Sequence, residues 1–372
     1  MDFSFTTESD DAAELAAKII GDATSVERLR TVEAAAGDRG RFDASLWSAL
    51  GEAGLLGLHL PETYDGAGLG LVELCRVLVE AGRQVAPVPL AVHGPCGLFL
   101  AETAADTLTG VADGSRILTA AVAEEHSHLP DIPMVVATGD TVTGVKTLVR
   151  AGMIADAFLV TAASPDGTVG VFLVEASAEG VDRRAQHTSD GDVTALVSFA
   201  SAPARRVGDS AAASRLGSLL TVAAAAELLG ITEGALSLTS SYAKTREQFG
   251  RAIGTFQAVS QRLADGFIDV LAQRLTLWQA VWRVSSGLPA ADQVAVAKLW
   301  AADAAHRLDH TTVHVHGGGG IDLDGDLGVR RDDHRPREQR VRVARDQQQR
   351  LHLRPHQRPA RAARHDQIVE TI

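Results

Sequence analysis

Hydrophobic positions recur at helical spacing in the first third of the chain, in residues 11–20, 42–55, 70–86 and 88–104. Apolar residues three and four positions apart predict amphipathic helices that bury one face. Gly54, Gly57 and the Gly-rich residues 61–68 interrupt the pattern and predict turns. We therefore predict an N-terminal helical domain over residues 1–112.

The middle of the chain has the pattern of strands. Apolar and β-branched residues fill short runs at 117–123, 134–137, 142–149, 157–163, 169–176 and 193–202. Residues 138–141 and 165–167 carry the Gly and Asp of tight hairpin turns. Successive hairpins without helices between them predict an antiparallel β domain over residues 113–208. No GxGxxG motif follows a strand, so a Rossmann dinucleotide site is not predicted.

Three long helical patterns follow, at residues 214–244, 253–285 and 292–316. Long helices joined by short loops predict a helical bundle, here over residues 209–327. The fold class is therefore α+β: an N-terminal helical domain, a central antiparallel β domain and a C-terminal helical bundle.

The last segment, residues 328–372, differs in composition from the rest. It contains twelve arginines and no Phe, Tyr or Trp. So few apolar residues cannot build a packed face, which predicts disorder. The break is abrupt and resembles an out-of-frame reading of GC-rich coding sequence, so we hypothesise a frameshift near residues 325–330. A functional basic tail that binds nucleic acid or acidic membranes is the alternative.

Charge and cysteine content narrow the class of protein. The formal net charge is -12, from 47 acidic and 35 basic residues, which argues against a nucleic-acid binder. Cys75 and Cys96 belong to no CxxC or Cys/His cluster and are predicted to be buried thiols. Residues 1–5 lack the features of a signal peptide, and no uninterrupted apolar run reaches the ~18–20 residues of a membrane span. We predict a soluble, cytoplasmic protein.

Two motifs carry a family resemblance. Residues 246–259, Arg-Glu-Gln-Phe-Gly-Arg-Ala-Ile-Gly-Thr-Phe-Gln-Ala-Val, resemble the acyl-CoA dehydrogenase signature between the first two bundle helices. Residues 315–321, Val-His-Gly-Gly-Gly-Gly-Ile, resemble the family's Gly-rich turn after the third bundle helix. Residues 61–68 are similar to its Pro-Glu-x-Tyr-Gly-Gly-x-Gly loop. The resemblance spans residues 1–327 and implies FAD as the cofactor.

The first motif implies contacts to the nucleotide half of an FAD held by a neighbouring subunit. Arg246 is expected to grip the pyrophosphate with paired hydrogen bonds. Phe249 is expected to lie against the adenine, and Gln257 to add a polar contact. The alternative is a cation at a helix C-terminus followed by a core phenylalanine.

The second motif implies contacts to the same end of the cofactor. Gly317 and Gly318 expose backbone amides that can form an anion-binding nest, and His314 stands where the family usually has Gln. The alternative is a helix stop. His310 and His314 have the i,i+4 spacing of two metal ligands on a helix. However, the Glu of an HExxH motif and a third ligand are missing, so no metal is predicted.

The residues at the positions that hold the flavin ring in the family depart from the family pattern. The family's Thr/Ser-Glu-Pro-Gly-x-Gly-Ser-Asp segment, which holds flavin and substrate, matches residues 121–130 only at Glu124. Its Trp-Ile-Thr/Ser strand, which backs the flavin, reads Leu-Val-Arg at residues 148–150. A standard flavin pocket is therefore not predicted for this chain.

The catalytic base is the least defined position. The family reaction needs a desolvated Glu, placed either after the Gly-rich turn or early in the first bundle helix. The helical position falls near Leu220, which is not acidic, and Glu227 is the nearest carboxylate. Glu227 is a weak candidate, and the alternative is a surface or interface Glu that pairs with Lys or Arg.

These observations leave several functions open. The first is an FAD-dependent acyl-CoA dehydrogenase, a dimer of dimers that passes electrons to an electron-transfer flavoprotein. The second is a non-catalytic partner subunit of a heteromeric acyl-CoA dehydrogenase that contributes FAD contacts. A third, a DNA-associated flavoprotein, depends only on the basic tail. The Ala-rich first bundle helix leaves room for a bulky acyl group such as a steroid side chain.

Overall fold

A computed structural model describes residues 4–37, 40–188 and 190–320, together with the backbone of residues 330–332 and 335–337. Those last six residues form two short antiparallel strands, β11 (Arg330–Asp332) and β12 (Arg335–Arg337). The rest of the segment predicted to be disordered lies outside the described residues, so that prediction and the frameshift hypothesis remain predictions.

The N-terminal region is helical, as its hydrophobic spacing predicts. It contains α1 (Thr7–Ala23), α2 (Val26–Ala34), α3 (Ala44–Glu52), α4 (Leu71–Arg83) and α5 (Leu90–Thr103). The side chains of Thr6, Ser25 and Asp43 accept backbone N–H bonds at the starts of α1, α2 and α3, which explains where these helices begin. The four predicted helical segments correspond to α1, α3, α4 and α5.

The central region is one eight-stranded sheet. Its strands are β1 (Leu118–Ala121), β2 (Val136–Thr138), β3 (Thr141–Arg150), β4 (Ala157–Ala163), β5 (Val169–Glu175), β6 (Val181–Ala185), β7 (Thr194–Pro203) and β8 (Arg205–Gly208). The order is β6-β7-β3-β2-β4-β5-β8, and β1 pairs with β4. Most neighbours are antiparallel, but β1 and β2 run parallel to β4. The sheet is therefore mixed.

The C-terminal region is a helical bundle made of α6 (Ser210–Thr245), α7 (Gln257–Ser285) and α8 (Ala291–His316). A small hairpin, β9 (Glu247–Gln248) and β10 (Arg251–Ala252), connects α6 to α7. α6 has 36 residues and packs against α4, α5, α7 and α8, so it is the central element of the molecule. The predicted order of helical, β and helical regions is confirmed.

Among the described residues, α6 is also the helix that is long and apolar enough to cross a bilayer by length and composition. However, 72% of its most apolar stretch is buried inside the fold. Its apolar surface is therefore accounted for by the core of the protein.

Candidate functional site

One end of the bundle gathers the residues that the two sequence motifs single out. The ring of Tyr242, in the last turn of α6, stacks on the ring of His316 at the end of α8, with centroids 4.2 Å apart. One turn earlier, the Thr239 hydroxyl hydrogen-bonds the Thr312 hydroxyl at 3.2 Å. α6 and α8 therefore end side by side, and α7 starts beside them.

Arg246 ends α6 and begins the hairpin. Its N–H donates to the carbonyl of Tyr242, and its own carbonyl accepts the N–H of Ile253 at 2.8 Å. Among the described residues its exposed guanidinium takes part in no ion pair. The backbone of this residue is fixed while its charge remains available to a ligand.

Phe249 occupies the tip of the hairpin. Phe249 and Gly250 form a two-residue turn with φ values of 53° and 77°. Positive φ at both positions is typical of a type I′ hairpin turn, although it is uncommon for a phenylalanine. The side chain is 93% exposed, and its ring lies nearly perpendicular to that of Phe256, with centroids 6.1 Å apart. An apolar ring so placed suits a flat ligand or a neighbouring chain.

The glycine turn completes this end of the bundle. Gly317 ends α8 with a φ of 58°, a conformation that favours glycine. A side chain at Gly317, Gly318 or Gly319 would meet nothing within 4 Å, so the backbone is open to solvent. Gly320 is buried against the carbonyl of Val313 and anchors the turn. Exposed backbone next to a cation can bind a phosphate-containing group.

All six predicted nucleotide-contact residues thus lie at this end of the bundle and are exposed: Arg246, Phe249, Gln257, His314, Gly317 and Gly318. Their roles in binding remain a prediction. Among the described residues, no group of three or more His, Cys, Asp or Glu side chains is arranged to hold a metal ion.

A second region of interest lies between the sheet and α6. A cavity of about 120 Å³ is lined by apolar side chains of both elements and of α5, by His128 and by the Arg150 side chain. Leu220, near one of the two positions where the family places its carboxylate, forms part of its wall. None of the described Asp or Glu side chains lines this cavity. The cavity is smaller than the ~300–1,000 Å³ of typical ligand pockets.

Arg150, at the end of β3, makes the main polar contacts of this region. Its guanidinium binds Asp192 at 2.9 Å and both carboxylate oxygens of Glu227 at 3.0 and 3.4 Å. Burial disfavours its charge, but the two carboxylates outweigh burial and raise the pKa of Arg150 above its ordinary value. The side chain therefore stays cationic, and the trio connects the sheet to α6.

This arrangement bears on Glu227, the weak candidate for the base. Glu227 is 8% exposed, and its oxygens face Arg150. It does not line the cavity that Leu220 borders. The structure thus pairs Glu227 with an Arg, as in the alternative, but this Glu is buried between the sheet and α6 and does not lie at the surface. Sequence reasoning missed Arg150 as its partner, although an Arg in place of a family Thr or Ser was a visible signal.

Glu124, the one match in the degenerate flavin segment, is also engaged within the protein. Its carboxylate accepts the backbone N–H groups of Met134 and Val135 and a hydrogen bond from Lys146 Nζ at 2.8 Å. Burial lowers the pKa of the fully enclosed Lys146 to about 8, although Glu124 opposes the shift. Glu124 thus holds in place the loop in which residues 126–130 replace the family's Gly-x-Gly-Ser-Asp.

A groove of about 570 Å³ with a mixed polar and apolar lining adjoins this loop. Hydroxyl groups of Ser210, Ser214 and Ser218 on α6 line one side, and Lys298 of α8 lines the other. Burial lowers the pKa of Lys298 to about 8. The groove and the smaller cavity share Leu129, Gly217 and Thr221, so the two spaces adjoin at these residues.

Comparison with known proteins identifies the family. Residues 22–108 match the model of the acyl-CoA dehydrogenase N-terminal domain, and residues 220–345 match that of the C-terminal domain. The chain is 40% identical over 341 residues to acyl-CoA dehydrogenase FadE27 of Mycobacterium tuberculosis, covering 87% of this chain and 90% of that protein. The chain belongs to the acyl-CoA dehydrogenase family.

Solved structures of acyl-CoA dehydrogenases agree with the fold. The ChsE4–ChsE5 complex of Mycobacterium tuberculosis contains a chain that is 38% identical, with a TM-score of 0.83 and 94% of each chain covered. A variant of the steroid acyl-CoA dehydrogenase Tcur3481–Tcur3483 has the same identity, a TM-score of 0.82 and 92% of each chain covered. The C-terminal family match extends beyond Leu327 into the segment that the sequence set apart.

As an acyl-CoA dehydrogenase, the chain is an oxidoreductase that acts on CH–CH donors, and its cofactor is FAD. The two regions fit this cofactor differently. The exposed end of the bundle offers a cation, an aromatic ring and open backbone, which suit the nucleotide half. The cleft beside residues 148–150 offers a small cavity and a guanidinium in an ion pair, which do not suit the flavin ring.

Proposed function

We propose that this chain is a subunit of a heteromeric acyl-CoA dehydrogenase, in which it supplies the contacts to the nucleotide half of FAD. A companion subunit supplies the flavin-ring pocket and the catalytic carboxylate. The observation that carries this proposal is the contrast between the open nucleotide-type end and a sheet–α6 cavity that has Leu220 and Arg150 but no carboxylate.

Two relatives support a heteromer. The ChsE4–ChsE5 structure is a complex, and the Tcur3481–Tcur3483 protein is a steroid acyl-CoA dehydrogenase named for two components. We propose by analogy a dimer of dimers in the cytoplasm that dehydrogenates an acyl-CoA with a bulky acyl group of the steroid side-chain class. Electrons then leave through an electron-transfer flavoprotein.

The residues of this chain bind and orient rather than react. When bound, FAD accepts the hydride that leaves the β-carbon of the acyl-CoA. Arg246 is placed to neutralise the pyrophosphate, and Phe249 to cover the adenine. The open backbone at Gly317 and Gly318 lets the nucleotide approach closely, while the Gly317 N–H itself donates to the carbonyls of His314 and Val313. Holding the nucleotide end in this way fixes where the flavin can sit in the companion subunit.

Flavin retention tests the proposal. We expect the purified chain alone to be colourless, and the chain co-purified with its companion to show flavin absorbance. The change Arg246→Ala is expected to lower the flavin content of the complex at least tenfold, because a charge-assisted contact to phosphate contributes about 1.5–3 kcal/mol. Lys244→Ala is the matched control, since it removes an exposed cation from the last turn of α6 outside the motif.

Two results would contradict the proposal. Equal flavin content in the Arg246→Ala complex and the wild-type complex would remove the assigned nucleotide contact. Flavin bound by the chain alone and bleached by an acyl-CoA would show a self-sufficient dehydrogenase, the other function that the sequence left open.

A further inference from the structure

The end of β3 is irregular where the family has the strand that backs the flavin. The pairing of β3 with β7 shifts by one residue between Lys146 and Val149, as in a β-bulge. Leu148 adopts a φ of 50°, and its N–H donates to the side chain of Gln186 at 2.7 Å. Bulges change the direction of the side chains that follow them. Here the next side chains along the strand include Arg150, which crosses to α6.

The contacts of Arg150 hold it in that direction. Its partners come from two separate elements, Asp192 from the segment before β7 and Glu227 from α6. The side chains of all three residues are largely buried, so swinging the guanidinium away would break its ion pairs with two largely buried carboxylates. The Arg150 side chain that spans from β3 to α6 is therefore a fixed part of the fold. It is not a mobile surface arginine.

The space around this ion pair is closed from a second direction. Leu129, from the loop that replaces the family's Gly-x-Gly-Ser-Asp, packs against Gly217 of α6 so tightly that a Cβ on the glycine would lie 3.0 Å from it. Between the loop and the ion pair lies the cavity of about 120 Å³, which adjoins the groove of about 570 Å³ at Leu129, Gly217 and Thr221. A planar three-ring system cannot enter the cavity without displacement of one of the two closures.

We infer that the Arg150–Glu227 ion pair is the determinant that excludes the flavin ring from this chain and so assigns the ring to the companion subunit. This inference rests on the proposed function, in which the chain contributes to a shared FAD from its nucleotide end. It adds a specific cause for the asymmetry: a cation at position 150, where the family has a hydroxyl, paired with a carboxylate on α6.

The flavin content of the assembled complex tests this inference. The double change Arg150→Thr with Glu227→Gln removes both charges and shortens residue 150 to the family's side chain. We expect the flavin absorbance per pair of chains to double, because a second ring site opens beside the first. The change Arg150→Met with Glu227→Met is the matched control, since it removes the same charges but keeps the cleft filled, and its flavin content is expected to equal that of the wild type.

A second variant guards against misfolding. If the first double variant does not assemble, Arg150→Ala with Glu227→Met opens the same space and retains one large apolar side chain on α6, and an increase in flavin content is again expected. A folded, assembled opening variant whose flavin content stays at the wild-type level overturns the inference. In that case a persisting loss of flavin in Arg246→Ala shows that the proposed function still stands, whereas no effect of Arg246→Ala contradicts the function itself.

Discussion

Two histidines of the N-terminal region are enclosed in the core. Nδ1 of His93 accepts the N–H of Leu118 at 3.2 Å, and its Nε2 lies 3.1 Å from the carbonyl of Val111, so the ring is neutral with its proton on Nε2. Neither ring nitrogen of His59 has a hydrogen-bond partner among the described residues. Burial lowers the pKa of His93 to about 4, and burial with His93 nearby lowers that of His59 to about 3.

We expect the free energy of unfolding to fall as the pH drops below about 6.5, the ordinary pKa of histidine. Below this value the unfolded chain binds protons at both residues, whereas the folded chain stays unprotonated until the pH approaches the lowered values. The slope is at most about 1.4 kcal/mol per pH unit for each histidine. Urea unfolding at pH 7.5 and 5.5 measures it in a range where carboxylates do not titrate.

Replacement of one buried histidine isolates its contribution to the pH dependence of the free energy of unfolding. His59→Leu is expected to reduce the pH dependence by about half, because one of two linked protons is removed. His310→Gln, a change at an exposed position of α8, is the control and is expected to leave it unchanged. Equal pH dependence in wild type and His59→Leu would show that His59 is not neutral in the folded protein.

At the level of elements, glycines allow α4 and α6 to approach closely. A Cβ at Gly230 would lie 1.9 Å from the carbonyl oxygen of Val79, and a Cβ at Gly82 would lie 1.9 Å from that of Glu227. These atoms belong to the backbone and cannot rotate away, so the two helices touch through their main chains. The contact holds the N-terminal region against the bundle.

Gly230→Ala is expected to destabilise the protein by about 1–3 kcal/mol, because the added methyl group forces the two backbones apart. Gly21→Ala is the matched control, since this helical glycine has nothing within 4 Å of a new Cβ. There we expect a gain of about 0.4–1 kcal/mol from the lower entropy of the unfolded chain. Urea unfolding of both variants measures the difference, and equal effects would show that the close approach is absent.

Most helices and strands are predicted by the local sequence pattern. For the elements that the pattern does not predict, the structure gives a physical reason. α6 was predicted at residues 214–244 and spans Ser210–Thr245 because Asp209 caps it four residues earlier. β6 was not predicted, since this edge strand carries Asp182, Arg183 and Arg184 and no fully buried side chain. The parallel pairing of β1 with β4 was also not predicted, because hairpin turns indicate pairing only between strands that are neighbours in sequence.

In the candidate site, too, some features were predicted from local sequence motifs and others were not. The nucleotide-type end was predicted because its residues lie in two contiguous motifs. The contacts of Arg150 were not predicted, because its partners lie 42 and 77 positions away from it in the sequence. Only the packing of the sheet against α6 brings the three residues together. A sequence pattern shows that a family residue has been replaced, but the partner of the replacement depends on tertiary packing.

At the scale of the whole molecule, one continuous core runs through all three regions. Buried residues in contact extend from Ala16 of α1, through Phe158 of β4 and Leu228 of α6, to Leu308 of α8. Regions that share a core are expected to unfold together, whatever their boundaries in the sequence.

We therefore expect the amides of β4 and of the middle of α6 to exchange with deuterium at the same slow rate, set by global unfolding. Hydrogen exchange with mass spectrometry of the full chain measures both segments in one sample. The amides of the exposed hairpin at residues 247–252 serve as an internal reference and are expected to exchange much faster. Markedly faster exchange in β4 than in α6 would show that the sheet opens as an independent domain.

The bare aromatic ring at the hairpin tip has a consequence for how such a chain is made in the cell. Phe249 presents its ring to water in the single chain. In the proposed heteromer, copies made in excess of the companion subunit would keep this apolar ring exposed and be prone to aggregation, chaperone binding and degradation. We expect the two genes of such a pair to be expressed in balance, with surplus copies of either product cleared.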